Sequence, residues 1–291
     1  MPGKNTGVRH GDVLPEIRQA AMRAEPDRYL AATLAPLTAR PALAALAAFA
    51  AEVARIPATV SEPLLGEIRL QWWRDALAEG REGRRSGHPI ADSLIDAVSQ
   101  HRLPAELLEA VLDARERDLS GAVLEDDQEL AAYLQATEGD LFLLGMCSLG
   151  AVREEVAELA ALAGQAYGIA RGLCRLPMSL HNGGAILPAK RLEAAGIQPL
   201  QLASQPPAAD VENAVRHIAK AMAEDGMSAL SRARTLTRRL ETRFRPALLP
   251  LVMVEPYFRA QSKHRILAEP VEISPIGRVI RIGLAHLTGR L

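Results

Sequence analysis

From Asp27 onward, apolar residues recur at intervals of three and four, the spacing of a single buried helical face. Over 62–79 the stripe is Leu65, Ile68, Trp72 and Ala76, and over 104–119 it is Leu108, Val111, Leu112 and Leu119. Pro104 stands at the start of the second segment with Glu106 and Glu109, where a fixed φ and the positive end of the helix dipole favour them. The stripe over 153–174 runs Val156, Leu159, Ala160, Ala163, Tyr167 and Ala170; over 210–241 it runs Val211, Ala214, Val215, Ile218, Met222 and Leu230. Period-two alternation is nearly absent, with Val279–Ile282 the only short candidate strand. Interruptions are brief: a Gly- and Arg-rich loop over Gly80–Pro89, a tight turn at His181–Gly184, and a proline-containing break over Leu200–Ala209. No repeat of fixed period is present. The pattern predicts one all-α domain of roughly ten helices. It spans 25–291, behind a flexible lead, 1–24, whose first residues hold three glycines and no apolar period.

Composition sharpens this. Alanine supplies 51 of 291 residues and aromatics only 3%, so helix propensity dominates. Lys+Arg is 34 and Asp+Glu is 35, a balance with no electrostatic footprint for nucleic acid. Two cysteines fit a reducing compartment and exclude a disulfide scaffold. The most apolar run, Ala42–Ala51, is ten residues long, whereas a bilayer needs roughly 20. Lys4, Arg9, Asp12 and Glu16 lie in an N-terminus with no apolar stretch, unlike a signal peptide. The expectation is a soluble, cytoplasmic chain, at most peripheral at the inner membrane.

Standard catalytic and metal motifs (HExxH, CxxC, GxSxG, the Walker loop) are missing. Cys147 and Cys174 sit in apolar helical stretches and read as buried packing residues. Glu125-Asp126-Asp127 resembles a metal cluster, but Asp126 with Glu129 three residues on is a helix-start cap. The most distinctive string is Gly66-Glu67-Ile68-Arg69-Leu70-Gln71-Trp72-Trp73-Arg74-Asp75. Its plain reading is a core helix with Trp72 inward and Trp73 at the edge. Its functional reading puts Arg69 and Gln71 in a buried pocket.

That string, preceded by Ser61-Glu62-Pro63-Leu64-Leu65, resembles the squalene/phytoene synthase family. So do Asp27-Arg28-Tyr29-Leu30, Arg40-Pro41-Ala42-Leu43, Tyr133-Leu134-Gln135-Ala136-Thr137-Glu138-Gly139, the helix around Gly164–Gly172, and Ile186-Leu187-Pro188. The resemblance covers about 25–265. It implies the isoprenoid-synthase fold, helices around a central cavity, with inner helices near 42–56 and 156–180 facing each other. It also implies Mg²⁺-assisted ionisation of an allylic diphosphate, with the metal held by two Asp-rich motifs. Aligning those motifs places Ala54, Arg55 and Ala58 at the first, and Cys174, Arg175 and Ser179 at the second. No acid lies between Glu158 and Glu193, and Glu52 is the only acid near the first motif.

Arginine in place of aspartate repels Mg²⁺ and can hold a phosphate directly. The resemblance therefore implies an aspartate-lacking, non-catalytic branch, like the mitochondrial complex I assembly factors, with a binding or respiratory-complex assembly role and a membrane-complex partner. Two other readings stand beside it: an active head-to-head prenyl transferase with an altered metal site, the only one requiring Mg²⁺, and a carrier of an isoprenoid or lipid ligand. Pocket candidates are Tyr29, Glu52, Arg55, Arg69, Gln71, Asp140, Tyr167, Arg171 and Arg175. No residue is assigned to catalysis or to a metal. Arg55, Arg171 and Arg175 either hold an anion or pair with Glu52, Glu67, Glu138 or Asp140 and close the cavity. Ile276–Leu291, with Arg278, Arg281 and Arg290, is either docked on the domain or a basic amphipathic surface segment.

Overall fold

A computed structural model describes residues 13–181, 186–202 and 207–291, and among these every regular element is helical. In chain order the helices are α1 (Pro15–Ala24), α2 (Pro26–Thr33), α3 (Arg40–Thr59), α4 (Pro63–Arg81), α5 (Pro89–His101), α6 (Ala105–Ser120) and α7 (Asp127–Leu134). A π-helical turn, Gln135–Gly139, leads into α8 (Asp140–Ser148), α9 (Arg153–Cys174), α10 (Leu176–His181), α11 (Ala189–Ala194), α12 (Pro199–Leu202) and α13 (Ala209–Thr237). The series ends with α14 (Arg245–Leu248), α15 (Val254–Gln261) and α16 (Pro275–Thr288). Proline opens α1, α2, α4, α5 and α16. There its missing N–H costs nothing and its φ is already helical. The Asp126 cap forms as expected, its Oδ1 accepting from the backbone N–H groups of Gln128 (3.0 Å) and Glu129 (3.1 Å). Val279–Ile282, the one strand candidate, is helical within α16. The turn after His181 lies outside the described residues, as does the middle of the Leu200–Ala209 break, 203–206.

The alanine-rich α3 runs through the core and packs against α1, α2, α4, α5, α6 and α8. It is long and apolar enough by composition to cross a membrane, yet most of its length is buried by these neighbours. α9 packs along α13 and against α8, α15 and the π turn. The two inner helices are thus α3 and α9, but α8 packs between them and side chains of α2 bridge the rest. A partly open cavity of about 20 Å³ lies between α2, α3, α8 and α14, space for roughly one water. α9 can approach the π turn only because residue 164 is glycine: a Cβ there would lie 2.4 Å from the Gly139 nitrogen.

Two expectations are corrected here. The lead is helical from Pro15, and α1 buries Ile17 and Ala21 against α3. Two apolar contacts on an otherwise charged segment leave no strong period to detect. On α4 the helical period is right but the face is reversed. Gly66, Leu70, Trp73, Ala76 and Leu77 point inward, so that of the expected stripe only Ala76 is buried, while Leu65, Ile68 and Trp72 point to solvent. Trp73 is 4% exposed and Trp72 40%. The Phe49 ring meets Trp73 edge-on at 5.2 Å, which fixes which indole faces the core.

Candidate functional site

Three charged residues are brought into the interior: Glu25, in the one-residue link between α1 and α2, and Asp27 and Arg28, in the first turn of α2. The π turn contributes Glu138 and α9 contributes Arg171, both buried. Arg171 donates from both terminal nitrogens to the Glu25 carboxylate, from Nη1 to Glu138 Oε1 (3.2 Å) and from Nη2 to the Ala24 carbonyl (3.1 Å). Arg28 Nη2 donates to the other oxygen of Glu138 at 2.7 Å, and Arg28 Nε lies 3.4 Å from Glu25. Two buried cations and two buried anions thus neutralise one another. Arg28 also lies over the rings of Phe142 (4.4 Å) and Tyr167 (5.3 Å) and lines the small cavity. Burial opposes ionisation of Glu138, but Arg171 and Arg28 outweigh it and hold the carboxyl below its ordinary value.

Beside this quartet lies a second centre. Asp27 Oδ2 accepts from the hydroxyls of Tyr167 (2.9 Å) and Tyr257 (2.7 Å), and Oδ1 accepts from Arg278 Nε. Burial, reinforced by the Asp27 carboxylate, pushes both phenols up. Both hydroxyls therefore stay protonated and donate at neutral pH. α2, α9, α15 and α16 are tied together at this one carboxylate.

The nine pocket candidates divide sharply. Tyr167 and Arg171 are at the heart of the two centres. Arg175 reaches their edge, donating from Nη2 to the Ala24 carbonyl at 2.8 Å, but its side chain is exposed. Asp140 is buried and accepts from Gln135 Nε2 at 2.7 Å; burial raises its carboxyl above the ordinary value. Tyr29 is half-buried at the core surface. Arg55 pairs with Glu52 at 2.9 Å along α3. Arg69 and Gln71 are not in a cavity: both are exposed, bonded to Thr59 and Asp75, because α4 is turned with Leu70 inward. Of the two arrangements open to the arginines, Arg55–Glu52 and Arg171–Glu138 are ion pairs. Cys174 is buried with its thiol 3.5 Å from the Tyr257 carbonyl, while Cys147 is only half-buried.

The sequence reasoning missed Glu25, Asp27, Arg28, Tyr257 and Arg278. Asp27-Arg28 does belong to a string that resembles the family, which is the one signal available for them.

The carboxylates present do not fit a Mg²⁺ site. Glu25, Asp27 and Glu138 already accept from guanidinium or phenol donors, and Glu52 is paired with Arg55. Mg²⁺ needs carboxylate oxygens that are free to coordinate it. Among the described residues no three His, Cys, Asp or Glu side chains gather as metal ligands would.

Comparison with known proteins agrees with the fold. The sequence pattern of squalene/phytoene synthase matches residues 21–266. The chain is 27% identical over 233 residues to NADH dehydrogenase (ubiquinone) complex I, assembly factor 6 of Mus musculus, covering 80% of this chain and 69% of that protein. It is 33% identical over 186 residues to bifunctional protein CrtB/UppS of Streptomyces coelicolor, covering 62% of this chain and 32% of that one. The crystal structure of squalene synthase HpnC from Alicyclobacillus acidocaldarius superposes with a TM-score of 0.72 at 17% identity, covering 85% of this chain and 92% of that one.

Proposed function

This chain belongs to the squalene/phytoene synthase family, and from that premise we propose that it keeps the family's fold without its chemistry, as an assembly protein for a membrane-bound respiratory complex. The observation that carries this reading is the closed quartet of Glu25, Arg28, Glu138 and Arg171, which lies beside a cavity of about 20 Å³. Ligand pockets typically offer roughly 300–1,000 Å³, and a prenyl transferase must hold two prenyl chains and their diphosphates at once. An enzyme or a carrier would need far more room than this, and Arg28 of the quartet stands in the cavity wall. The similarity to complex I assembly factors supports the same reading and supplies the class of partner. On this reading the protein needs no Mg²⁺ and works in the cytoplasm, peripheral at the inner membrane.

Two measurements test it. The full chain, incubated with Mg²⁺ and farnesyl or geranylgeranyl diphosphate, is expected to release no pyrophosphate above background. Cells lacking the protein are expected to accumulate partly assembled NADH dehydrogenase on native gels, reversed by the wild-type chain. Mg²⁺-dependent turnover, or normal assembly without the protein, would overturn the proposal.

A further inference from the structure

α16 is held to the domain by a narrow inner edge. Ile282 and Ala285 are buried, and Arg278 reaches in to Asp27. Its opposite face is apolar and faces solvent. Ile276, Ile280, Leu284 and Leu287 follow one another at spacings of three and four, with Val279 beside them. Ile276 is 72% exposed and Leu287 81%. A single exposed leucine is ordinary, but a continuous apolar stripe along a whole helix marks a contact surface.

The charge around the stripe points to the occupant. No acidic residue occurs between Glu272 and Leu291, whereas Arg281, His286 and Arg290 flank the stripe. Among the described residues neither Arg281 nor Arg290 is in an ion pair. At the end of α16 lies an open groove of about 360 Å³, lined by Thr242, Arg245, Leu249, His286, Leu287 and Leu291 among others. Arg245 stands in its wall, donating to the Gly289 carbonyl at 3.3 Å, and its buried Nε has no hydrogen-bond partner among the described residues. Gly289, at φ 66°, closes the helix and leaves room for that guanidinium. The groove is thus cationic on one wall and apolar on the other.

We propose that the outward face of α16 is a lipid-contact face, laid in the plane of an anionic membrane surface, with a lipid phosphate received at Arg245. An apolar stripe flanked on its own segment by Arg281 and Arg290, with no acid between Glu272 and Leu291, is the complement of such a surface. A protein partner would have to bring its own anions to match it. The inference rests on the peripheral-membrane part of the reading above, and because vesicle binding is measured without any respiratory complex, its failure is distinguishable from failure of the assembly role.

The test is flotation of the full chain with phosphatidylcholine vesicles, with and without about one third phosphatidylglycerol. The wild-type chain is expected to float with the anionic vesicles and at least about tenfold less with the neutral ones. The variant I280E/L287E, altered only at exposed positions, is expected to lose flotation with its melting temperature unchanged. Arg281→Gln with Arg290→Gln is expected to weaken anionic binding by roughly thirtyfold, at about 1 kcal/mol per arginine. Absence of wild-type flotation, or equal flotation of I280E/L287E, would overturn the proposal. So would light scattering that shows wild-type dimers, dispersed by I280E/L287E, while neither protein floats; the stripe would then be a protein interface.

Discussion

Replacing Arg171 with methionine removes one of the two cations of the buried quartet while keeping much of the side chain's length. Glu25 and Glu138 are left with Arg28 as their remaining quartet partner, and the Ala24 carbonyl keeps only the Arg175 donor. Removing one partner of a buried pair typically costs about 3–5 kcal/mol, because the surviving charge is left in a medium that solvates it poorly. An unfolding entropy of about 2.1 cal/mol/K per residue gives this 291-residue chain about 0.6 kcal/mol/K. The melting temperature should therefore fall by roughly 5–8 °C. Urea denaturation followed by far-UV circular dichroism measures the free energy directly. Adding Glu25→Gln to Arg171→Met should recover part of the loss, with a coupling of about 1–3 kcal/mol. Glu138 adds a pH signature. Its folded pKa lies below its ordinary 4.5, so its contribution is complete above that value and is lost as pH falls through the folded pKa. Glu138→Gln should flatten that part of the acid limb. If Arg171→Met unfolds within about 0.5 kcal/mol of wild type, the quartet does not hold the interior together, and the reading built on the closed quartet fails with it.

Three further outcomes are expected. Gly164→Ala should destabilise by about 3 kcal/mol or prevent folding, since the new methyl meets the Gly139 backbone and not a flexible side chain; a near-neutral urea midpoint would contradict that close approach. Trp73→Ala should cost about 3–5 kcal/mol and Trp72→Ala less than about 1 kcal/mol, and the reverse order in thermal melts would mean α4 is turned the other way. Asp140→Asn should raise stability at neutral pH, because burial lifts the Asp140 carboxyl above its unfolded value and its ionised form is disfavoured when folded; the gain should shrink as pH falls toward that folded pKa, and a pH-independent difference would count against it.

The helical architecture was legible because local periodicity specifies it. The stripe from Val156 to Ala170 lies wholly within α9, and the Asp126 cap opens α7. Arg171 and its partner Glu138 were within reach because a resemblance marked both segments. The face of α4 was not. Leu65-Ile68-Trp72 and Gly66-Leu70-Trp73-Leu77 are both helical stripes, and only the position of Phe49 and Leu119 decides between them. α1 was missed because Ile17 and Ala21 are its only buried residues. The Asp27 centre was out of reach for a different reason. Its partners Tyr167, Tyr257 and Arg278 lie 140, 230 and 251 residues away, and no spacing rule connects residues that meet only after folding.

That separation has a consequence for how the protein is made. Ribosomes add about 5–20 residues per second, so Arg278 follows Asp27, 251 residues later, by roughly 13–50 s. Through that interval α2 must expose a carboxylate destined for the interior, alongside the apolar surface that α15 and α16 will cover. The early helices can pack on α3 as they emerge, but the Asp27 centre is completed only once α16 has been made.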